Sequence, residues 1–424
     1  MRMLPLFLLF VLIPLFLAHP PHGHHHPPHA DDKIRGVDLG GWLVLEPWIC
    51  PSLFAQFEQT PYNETAIDEY SFNLRLGAEE AQRQLEEHWS TWVQDEDFRK
   101  IKEYGLTHVR IPFGWWIFGD SPSYVNNISH LDRGLNLAHK YGIKVLLDLH
   151  GVPGSQNGFD NSGIVCKSIQ FGNDPATDTQ DVPEWSTNKT NMEISTEILR
   201  KTALRYKDHP AVWGLEFVNE PGWDVDFDVL KQWYIDTYHV LRPIVPDWKL
   251  VMEESFRPYS WQGFMENKTE FNNVMLDSHI YLAFNNNIIE MQDENDILAQ
   301  SCDQAIRVDF MQEREMPTIV GEWSNAVDDC AKYLNGFHTK IRKEELGRSC
   351  QNNFTKNFYR ELAKNQLWAF EQAEGWMFWN FKNELEDDWS WFRMVELEWV
   401  PRDAREIPEF IKDATCANKN FLSK

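Results

Sequence analysis

The chain has 424 residues, of which 42% are hydrophobic and 14% aromatic, enough for a large core built as one barrel or two ordinary domains. Its formal net charge of −25 argues against binding to nucleic acid or to anionic membranes and favours solubility. The six cysteines show no Cys-x-x-Cys pair and no zinc-type spacing, so disulfides are the expected state.

The first residues predict a secretory signal. Arg2 precedes an apolar run, Met3–Leu17, that ends at Ala18 and is short for a membrane span. We expect a signal peptide over residues 1–18 and an extracellular protein, with an uncleaved anchor as the alternative. A His- and Pro-rich stretch, 19–32, could hold a metal but favours an extended linker. Five glycosylation sequons lie at Asn63, Asn127, Asn188, Asn267 and Asn353.

From Ile34 onward, strand patterns alternate with helix patterns. The strand candidates are residues 34–45, 108–114, 144–151, 212–221, 249–255, 274–281, 318–324 and 375–382. The helix candidates are residues 79–87, 95–103, 132–141, 191–206, 227–241, 294–312 and 354–372. This alternation predicts an α/β fold with a parallel sheet closed as a single (β/α)8 TIM barrel over residues 33–424, with extended loops on its C-terminal face.

Two strand candidates end in a glutamate. VWGLEFVNEP (212–221) is nearly all apolar until it reaches Asn219, Glu220 and Pro221, and TIVGEWS (318–324) places Glu322 in the same way. An apolar run of this kind is typical of a strand covered on both faces. Burying an unpaired carboxylate is costly, so packing does not explain the two glutamates. The C-terminal rim of a parallel barrel carries its active site, and we predict that both glutamates lie there.

Several further polar or aromatic residues fall at the predicted strand ends. They are Glu46, Arg110, His150, Asn219, His279, Tyr281 and Trp379. Each has a structural explanation when taken alone, such as an internal salt bridge or core packing. Together, and without a clustered metal-ligand set or a nucleophilic serine, they indicate glycoside hydrolysis by two carboxylates, with no metal or cofactor. A retaining reaction requires carboxyl groups about 5–5.5 Å apart.

The roles follow from that chemistry. Glu220 is the predicted acid/base, with Asn219 beside it to bind the sugar 2-hydroxyl. Glu322 is the predicted nucleophile, which donors such as Arg110 and Tyr281 keep ionised. Trp379 is the predicted floor beneath the apolar face of the sugar ring.

Long motifs carry a resemblance to a known family. They are GVDLGGWLVLEPW (36–48), HWSTWVQDEDF (88–98), VRIPFGWW (109–116), DLHGVPGSQNGFDNSG (148–163), LEFVNEP (215–221), GEWSNAVDDCAKYLNG (321–336) and GWMFWNFKNE (375–384). The chain resembles family 5 of the glycoside hydrolases, and more narrowly the secreted fungal exo-β-1,3-glucanase branch. The matches span nearly all of residues 34–424.

The resemblance implies roles for individual residues. Glu220 matches the acid/base and Glu322 the nucleophile, while Glu46 matches a carboxylate that grips the outer hydroxyls of the bound sugar. Phe159 and Phe284 match an aromatic clamp at the pocket mouth, although loop packing is an alternative explanation for both. Matches around the bound sugar are Arg110, Asn219, His150, His279, Tyr281 and Trp379, with Asp160 and Asn335 placed near the pocket.

The resemblance also implies two disulfides, Cys330–Cys350 and Cys302–Cys416. This leaves Cys50 and Cys166, which both follow predicted strand ends on the active-site side. We predict that these two cysteines pair and brace the pocket wall.

The expected activity is a retaining exo-β-1,3-glucanase that releases glucose from the non-reducing ends of β-1,3-glucan or β-glucoside oligosaccharides in the cell wall. We expect a monomer without a membrane anchor after signal cleavage. Exo action needs a blind pocket, which the loops near Glu46 and at 152–188 are expected to close. The alternatives are an endo-acting or β-1,6-preferring glucanase or transglycosylase, and an inactive wall-binding glycoprotein.

Overall fold

A computed structural model of the chain describes residues 33–61, 64–167, 181–289, 291, 293–336 and 354–418. Eight parallel strands form one closed barrel in chain order. The strands are β1 (Ile34–Asp38), β2 (His108–Gly114), β3 (Lys144–Gly151), β4 (Val212–Glu216), β5 (Lys249–Glu253), β6 (Val274–His279), β7 (Thr318–Glu322) and β8 (Gly375–Phe378). The predicted TIM barrel is confirmed.

Helices follow most strands and cover the outside of the barrel. They are α1 (Pro51–Phe54), α2 (Glu69–Trp92), α3 (Asp95–Glu103), α4 (Ile128–Tyr141), α5 (Lys189–Tyr206), α6 (Phe227–Leu241), α7 (Asn286–Ile289), α8 (Glu294–Ser301), α9 (Gln304–Arg314), α10 (Lys356–Phe370), α11 (Trp391–Glu396) and α12 (Ile407–Phe410). No helix among the described residues is long and apolar enough to cross a membrane. The predicted signal peptide, 1–18, and the linker, 19–32, lie outside the described residues.

Several element bounds differ from the predicted ones. The predicted helix 79–87 is the second part of α2, which starts ten residues earlier and is interrupted at Gly77, whose φ of +74° is non-helical. The predicted helix 294–312 is two helices, α8 and α9. Six strands, β1 and β4 to β8, end two to seven residues before the predicted ends.

The barrel interior changes from apolar to charged along the strands. Ile34, Leu146, Val251, Met275, Ile319 and Met377 form one buried apolar cluster from six different strands. Because side chains on one face of a strand recur every second residue, Leu146 is followed on the inner face by Asp148 and His150. Met275 is followed in the same way by Asp277 and His279. Along this inner face, every second residue changes from apolar in the core to charged at the active-site rim.

The described sequons differ in their exposure. Asn127 is buried, and its side-chain amide donates to the Leu43 carbonyl over 2.9 Å, so it is not an accessible glycan acceptor in the folded protein. Asn188 and Asn267 are exposed. The sequons at Asn63 and Asn353 lie outside the described residues.

Candidate active site

A cavity of about 500 Å³ opens at the C-terminal end of the strands. Ten of the predicted site residues line it: Glu46, His150, Phe159, Asp160, Glu220, Tyr281, Phe284, Glu322, Asn335 and Trp379. The other three, Arg110, Asn219 and His279, lie buried and contact the two glutamates or their neighbours. The barrel therefore brings all thirteen predicted residues to one end, from loops and strands distant in the sequence.

The two predicted catalytic glutamates face each other across this cavity. Glu322 is the last residue of β7, whereas Glu220 lies four residues beyond the end of β4. A carboxylate oxygen of Glu220, one of Glu322 and a ring nitrogen of His279 all lie within 4.8 Å of one another. This separation suits a carboxylate pair that works on one bond without a water molecule between them, as in retaining hydrolysis.

Arg110 on β2 is fully buried beneath Glu322. Its Nη1 donates to Glu322 Oε1 over 2.8 Å, and its Nη2 donates to the Asn219 side-chain oxygen over 2.8 Å. Three further carboxylates, Asp38, Asp148 and Glu216, lie 3.3, 3.1 and 2.7 Å from the same guanidinium. Burial acts to lower the pKa of Arg110, but the carboxylates, led by Asp148, hold it well above its ordinary value.

One cation cannot neutralise four carboxylates, and burial decides which of them stay neutral. Burial raises the pKa of Asp148 to about 7 and that of Glu216 to about 8, against the attraction of Arg110. Burial also raises the pKa of Asp38 well above its ordinary value. Near neutral pH these three residues therefore retain part of their protons, as does Glu322, whose pKa burial also raises to about 8.

His279 and Tyr281 place donors between the glutamates. His279 Nδ1 lies 2.8 Å from Glu220 Oε1 and 3.4 Å from Glu322 Oε2. The Tyr281 hydroxyl donates to Glu322 Oε2 over 2.7 Å, and burial raises the pKa of that hydroxyl, which keeps it a donor. On the other side of Glu220, the Asn161 amide donates to Oε2 over 2.8 Å.

The two glutamates share protons as a coupled pair. Burial raises the pKa of Glu322 to about 8, with the charge of Glu220 adding to the shift and His279 and Arg110 opposing it. Burial acts in the same direction on Glu220, but the hydrogen bond and charge of His279 outweigh it and lower the pKa of Glu220. The pair therefore retains one proton near neutral pH, and these shifts place it on Glu322 rather than on Glu220. This is contrary to the expectation that Arg110 and Tyr281 keep Glu322 ionised, and the proton must pass to Glu220 before two-carboxylate hydrolysis can begin.

Two buried polar atoms near the glutamates, on His150 and Asn219, have no hydrogen-bond partner among the described residues. His150 Nδ1 lies 2.6 Å from Asp148 Oδ2, while its Nε2 has no hydrogen-bond partner among the described residues. The Asn219 amide nitrogen is likewise unpartnered within the described part of the chain. Burial holds the pKa of His150 well below its ordinary value, so its ring is neutral. Both atoms are suited to bind sugar hydroxyls.

Aromatic side chains form the floor and mouth of the cavity. Trp379 stacks on His150, with ring centroids 5.4 Å apart and an interplanar angle of 5°. At the mouth, Phe284 is 50% exposed and lies 5.5 Å from the Tyr281 ring. Phe159 also lines the cavity. Flat aromatic surfaces of this kind suit the apolar faces of sugar rings.

The side wall carries polar groups from three loops. Glu46 accepts a hydrogen bond from the Trp48 indole nitrogen over 3.0 Å, and burial raises the pKa of Glu46 well above its ordinary value. Burial also raises the pKa of Asp160 to about 7. The Asn335 amide donates to the Asp329 carbonyl over 2.6 Å. The wall thus offers hydroxyl-binding groups on the side of the cavity formed by the loops after β1, β3 and β7.

The backbone at Glu220 is held in an uncommon conformation. Its φ is +44°, a region that costs a non-glycine residue about 1–3 kcal/mol. The Gln156 side chain donates to the Asn219 carbonyl over 2.9 Å, and the Asn157 side chain donates to the Glu220 carbonyl over 3.1 Å. These two amides from the β3 loop stabilise the turn that aims Glu220 into the cavity.

Comparison with known proteins agrees with this geometry. Residues 74–384 match the family model described as cellulase (glycosyl hydrolase family 5). A glucan 1,3-beta-glucosidase of Blumeria graminis is 35% identical, over 91% of this chain and 91% of that protein. The chain belongs to glycosyl hydrolase family 5. A sporulation-specific glucan 1,3-beta-glucosidase of Saccharomyces cerevisiae is 36% identical, over 88% of this chain and 86% of that protein.

Solved structures support the fold of this family 5 chain. The rutinosidase of Aspergillus niger superposes with a TM-score of 0.64 at 18% identity, and the match covers 87% of this chain and 98% of that one. At this identity the likeness concerns the barrel alone.

The cysteines of this family 5 member differ in part from the prediction. Cys302 and Cys416 form a disulfide across 114 residues of sequence. Cys330 is disulfide-bonded, while its predicted partner Cys350 lies outside the described residues.

The predicted bond between Cys50 and Cys166 is wrong, because both are free and buried. The Cys50 thiol donates to the Glu46 carbonyl over 3.3 Å, and the Cys166 thiol is hydrogen-bonded to the Ser155 side chain. The two thiols therefore have separate local partners.

Some residues of the site were not predicted from the sequence. Asn161 contacts Glu220, but it lies in a loop where no periodicity marks a side chain as functional. Asp148 and Asp277 precede His150 and His279 by two positions on the same strand face, and this spacing was a signal available in the sequence. Trp223, 66% exposed at the cavity mouth, follows the Asn-Glu-Pro motif by two residues.

Proposed function

We propose that the protein is a secreted, retaining exo-β-1,3-glucanase that removes glucose units from the non-reducing ends of β-1,3-glucan. The observation that carries the proposal is the Glu220–Glu322 pair, with carboxylate oxygens within 4.8 Å of each other in a cavity of about 500 Å³. The linkage rests on the relatives, which are named glucan 1,3-beta-glucosidases.

The geometry supports a double displacement. Glu322 attacks the anomeric carbon while Glu220 donates its proton to the departing glycosidic oxygen, leaving a glucosyl ester on Glu322 and a free hydroxyl on the shortened glucan. Glu220, now a carboxylate, then removes a proton from water, which attacks the same carbon and releases Glu322. The two inversions give net retention. Both proton transfers use Glu220, so the proposed reaction needs no cofactor.

The donors around Glu322 suit its role as nucleophile. Arg110 and Tyr281 each contact a different oxygen of this carboxylate, and both remain donors throughout the reaction. They stabilise the carboxylate when it leaves the sugar in the second step. The Asn219 amide is placed beside them to bind the sugar 2-hydroxyl, an interaction that strengthens in the transition state.

The proposal of exo action is supported by contacts that join two loops on one side of the cavity. The Val165 amide donates to Asp68 Oδ2 over 2.6 Å, and the Tyr70 amide donates to the Gly163 carbonyl over 2.9 Å. These bonds join the start of α2 to the loop after β3, next to the wall that carries Glu46. A side closed in this way leaves room for a terminal sugar and directs the rest of the glucan past Phe284.

Secretion, an extracellular or cell-wall location and a monomeric state belong to the same proposal. The apolar run Met3–Leu17 supports entry into the secretory route.

The decisive experiment follows the products formed from linear β-1,3-gluco-oligosaccharides at the earliest time points. Glucose as the only initial small product, absent with Glu322→Gln, supports exo hydrolysis by this nucleophile. A mixture of oligosaccharides at the start would contradict exo action. Turnover of β-1,6-linked but not β-1,3-linked oligosaccharides would contradict the proposed linkage. Undiminished activity of Glu322→Gln would overturn the mechanism.

A further inference from the structure

We propose that Asp277 is a positioning residue for the reaction, because it joins the backbone before Glu322 to the ring of His279. It fixes the alignment of β6 with β7 through one carboxylate oxygen and supports the positive charge of His279 with the other. The inference deepens the proposed hydrolysis and rests on it.

The first part of the argument is an irregularity between two strands. β6 and β7 pair Asp277 with Ile319, but the register then shifts, so that His279 pairs with Glu322. At this shift, Asp277 Oδ1 accepts a hydrogen bond from the Gly321 amide over 2.6 Å. A bulge re-aims the side chains that follow it. At this register shift, the Asp277 carboxylate takes the place of a backbone acceptor on the neighbouring strand. The same shift brings His279 beside the nucleophile.

Gly321 leaves the space that this arrangement requires. A Cβ atom at position 321 would lie 1.9 Å from Asp277 Oδ2 and 2.3 Å from Oδ1. The Asp277 carboxylate thus occupies the volume that any other residue would fill with its own side chain. The position of the Asp277 carboxylate therefore requires a glycine directly before Glu322.

The second part of the argument concerns the other carboxylate oxygen of Asp277, Oδ2. Asp277 Oδ2 faces His279 Nε2 at 3.7 Å, both atoms are buried, and neither has a hydrogen-bond partner among the described residues. The opposite ring nitrogen of His279 lies 2.8 Å from Glu220. A ring with a carboxylate at each nitrogen is favoured in the doubly protonated form. Burial opposes that charge, but Glu322 and Asp277 hold the pKa of His279 well above its ordinary value.

The other charged groups around His279 come from every neighbouring element. The acids are Asp38 on β1, Asp148 on β3, Glu216 on β4, Glu220 after β4, Glu253 and Glu254 on or after β5, and Glu322 on β7. The bases are Arg110 on β2, His150 on β3 and Arg307 on α9, whose Nη2 donates to the His279 carbonyl over 3.3 Å. Among the described residues, Asp277 is the acid at ion-pair distance from Nε2, and a Glu216 carboxylate oxygen lies within 4.8 Å of the His279 ring.

The test distinguishes the negative charge of Asp277 from its hydrogen bond to the Gly321 amide. In Asp277→Asn, the side-chain oxygen can still accept from the Gly321 amide, but the amide group facing Nε2 carries no charge and favours a neutral His279. Without that cation, the pKa values of Glu220 and Glu322 rise. Both limbs of the pH profile of kcat/KM on an aryl β-glucoside should then move to higher pH, with kcat lower by about tenfold or more. The same substitution in an outer ion pair, Asp132→Asn, serves as the control.

A second readout does not require turnover. The ring titration of His279, followed by NMR in protein with ¹³C-labelled histidine and assigned with His279→Gln, should move to lower pH in Asp277→Asn. In the His279→Gln background, Asp277→Asn should have little further effect on kcat. An unchanged His279 titration, or an equal loss of kcat in both backgrounds with an unmoved profile, would overturn the proposal. Wild-type protein that hydrolyses no β-glucoside would contradict the proposed function, while the titration would still test Asp277.

Discussion

Arg110 Nη1 donates to Glu322 Oε1 over 2.8 Å inside a barrel where the arginine has no exposed surface. Through its other contacts, the same guanidinium connects the nucleophile to Asn219, which precedes the acid/base in sequence. Arg110 is thus both a structural cation at the centre of four carboxylates and a donor to the reacting group. Substitutions that separate these two roles test the proposed site.

We expect Arg110→Met to lose activity and to lower the free energy of unfolding by about 3–5 kcal/mol, because it leaves buried carboxylates without their cation. Arg110→Lys retains the charge but cannot reproduce the planar fork that reaches Glu322 and Asn219 together. It should fold with a smaller loss of stability and still show a large fall in kcat. Urea unfolding and hydrolysis of an aryl β-glucoside measure the two effects.

Arg205→Met is a suitable control, since this arginine pairs with Asp132 on the outer surface. Its effect on stability should stay within about 0.5 kcal/mol, the usual range for surface positions. An Arg110→Lys enzyme with wild-type kcat would contradict the role assigned to the bidentate donor.

Glu69 gives a prediction about stability and pH. This glutamate on α2 is fully buried and accepts a hydrogen bond from the Leu45 amide over 2.9 Å, and burial raises its pKa to about 8. Its pKa in the unfolded chain is about 4.3. Between these values the folded protein retains a proton that the unfolded chain has lost. Stability from this group is therefore complete below about pH 4.3 and falls as pH rises towards 8.

Glu69→Gln cannot titrate, so its free energy of unfolding should depend less on pH by about one proton across this window, or about 1.4 kcal/mol per pH unit. Urea unfolding at several pH values between 5 and 8 measures the difference. Glu79→Gln, at an exposed position of the same helix, should show the wild-type slope. Equal slopes for Glu69→Gln and the wild type would show that Glu69 is ionised when folded.

The free thiols give a third prediction. Burial raises the pKa of Cys166 to about 12 and that of Cys50 well above its ordinary value, so both thiols stay protonated and unreactive in the native protein. Maleimide should label both cysteines after denaturation without reductant and neither before it. Peptide mapping identifies the labelled residues. Recovery of a peptide pair linked through Cys50 and Cys166 would contradict the structure.

The fold and most of the site were predictable because their signals repeat. Strand–helix alternation predicts the barrel. An isolated acid at the end of an apolar strand, as at Glu220 and Glu322, indicates function because burying an unpaired charge is energetically costly. The pairing of Cys50 with Cys166 was inferred from similar positions after two strands. Two thiols at similar positions on the rim need not be close to each other. Here each thiol forms a hydrogen bond with a residue near it, Cys50 with Glu46 and Cys166 with Ser155. Asn161 could not be predicted, since its role depends on how a loop folds back.

Asn161 supplies the last prediction. Its amide donates to Glu220 Oε2 over 2.8 Å, and its own oxygen accepts from the Asn157 amide over 3.1 Å, so the side chain is held in place. A donor to an ionised carboxylate lowers its pKa. Asn161→Ala should therefore raise the pKa of Glu220 and move the alkaline limb of the kcat/KM profile, where the proton donor is lost, to higher pH. The expected loss in kcat/KM is about tenfold, the scale of one hydrogen bond to a charged group.

Asn161→Asp sharpens the test, because it replaces the donor with a second carboxylate facing Glu220. Like charge raises the pKa of Glu220 further, so the alkaline limb should move to higher pH by more than in Asn161→Ala. Asn136→Asp, the same change on the exposed face of α4, should leave the profile unchanged. If the alkaline limb stayed in place in Asn161→Asp, Glu220 would not be the group that titrates there, and the assignment of Glu220 as the acid/base would lose its support.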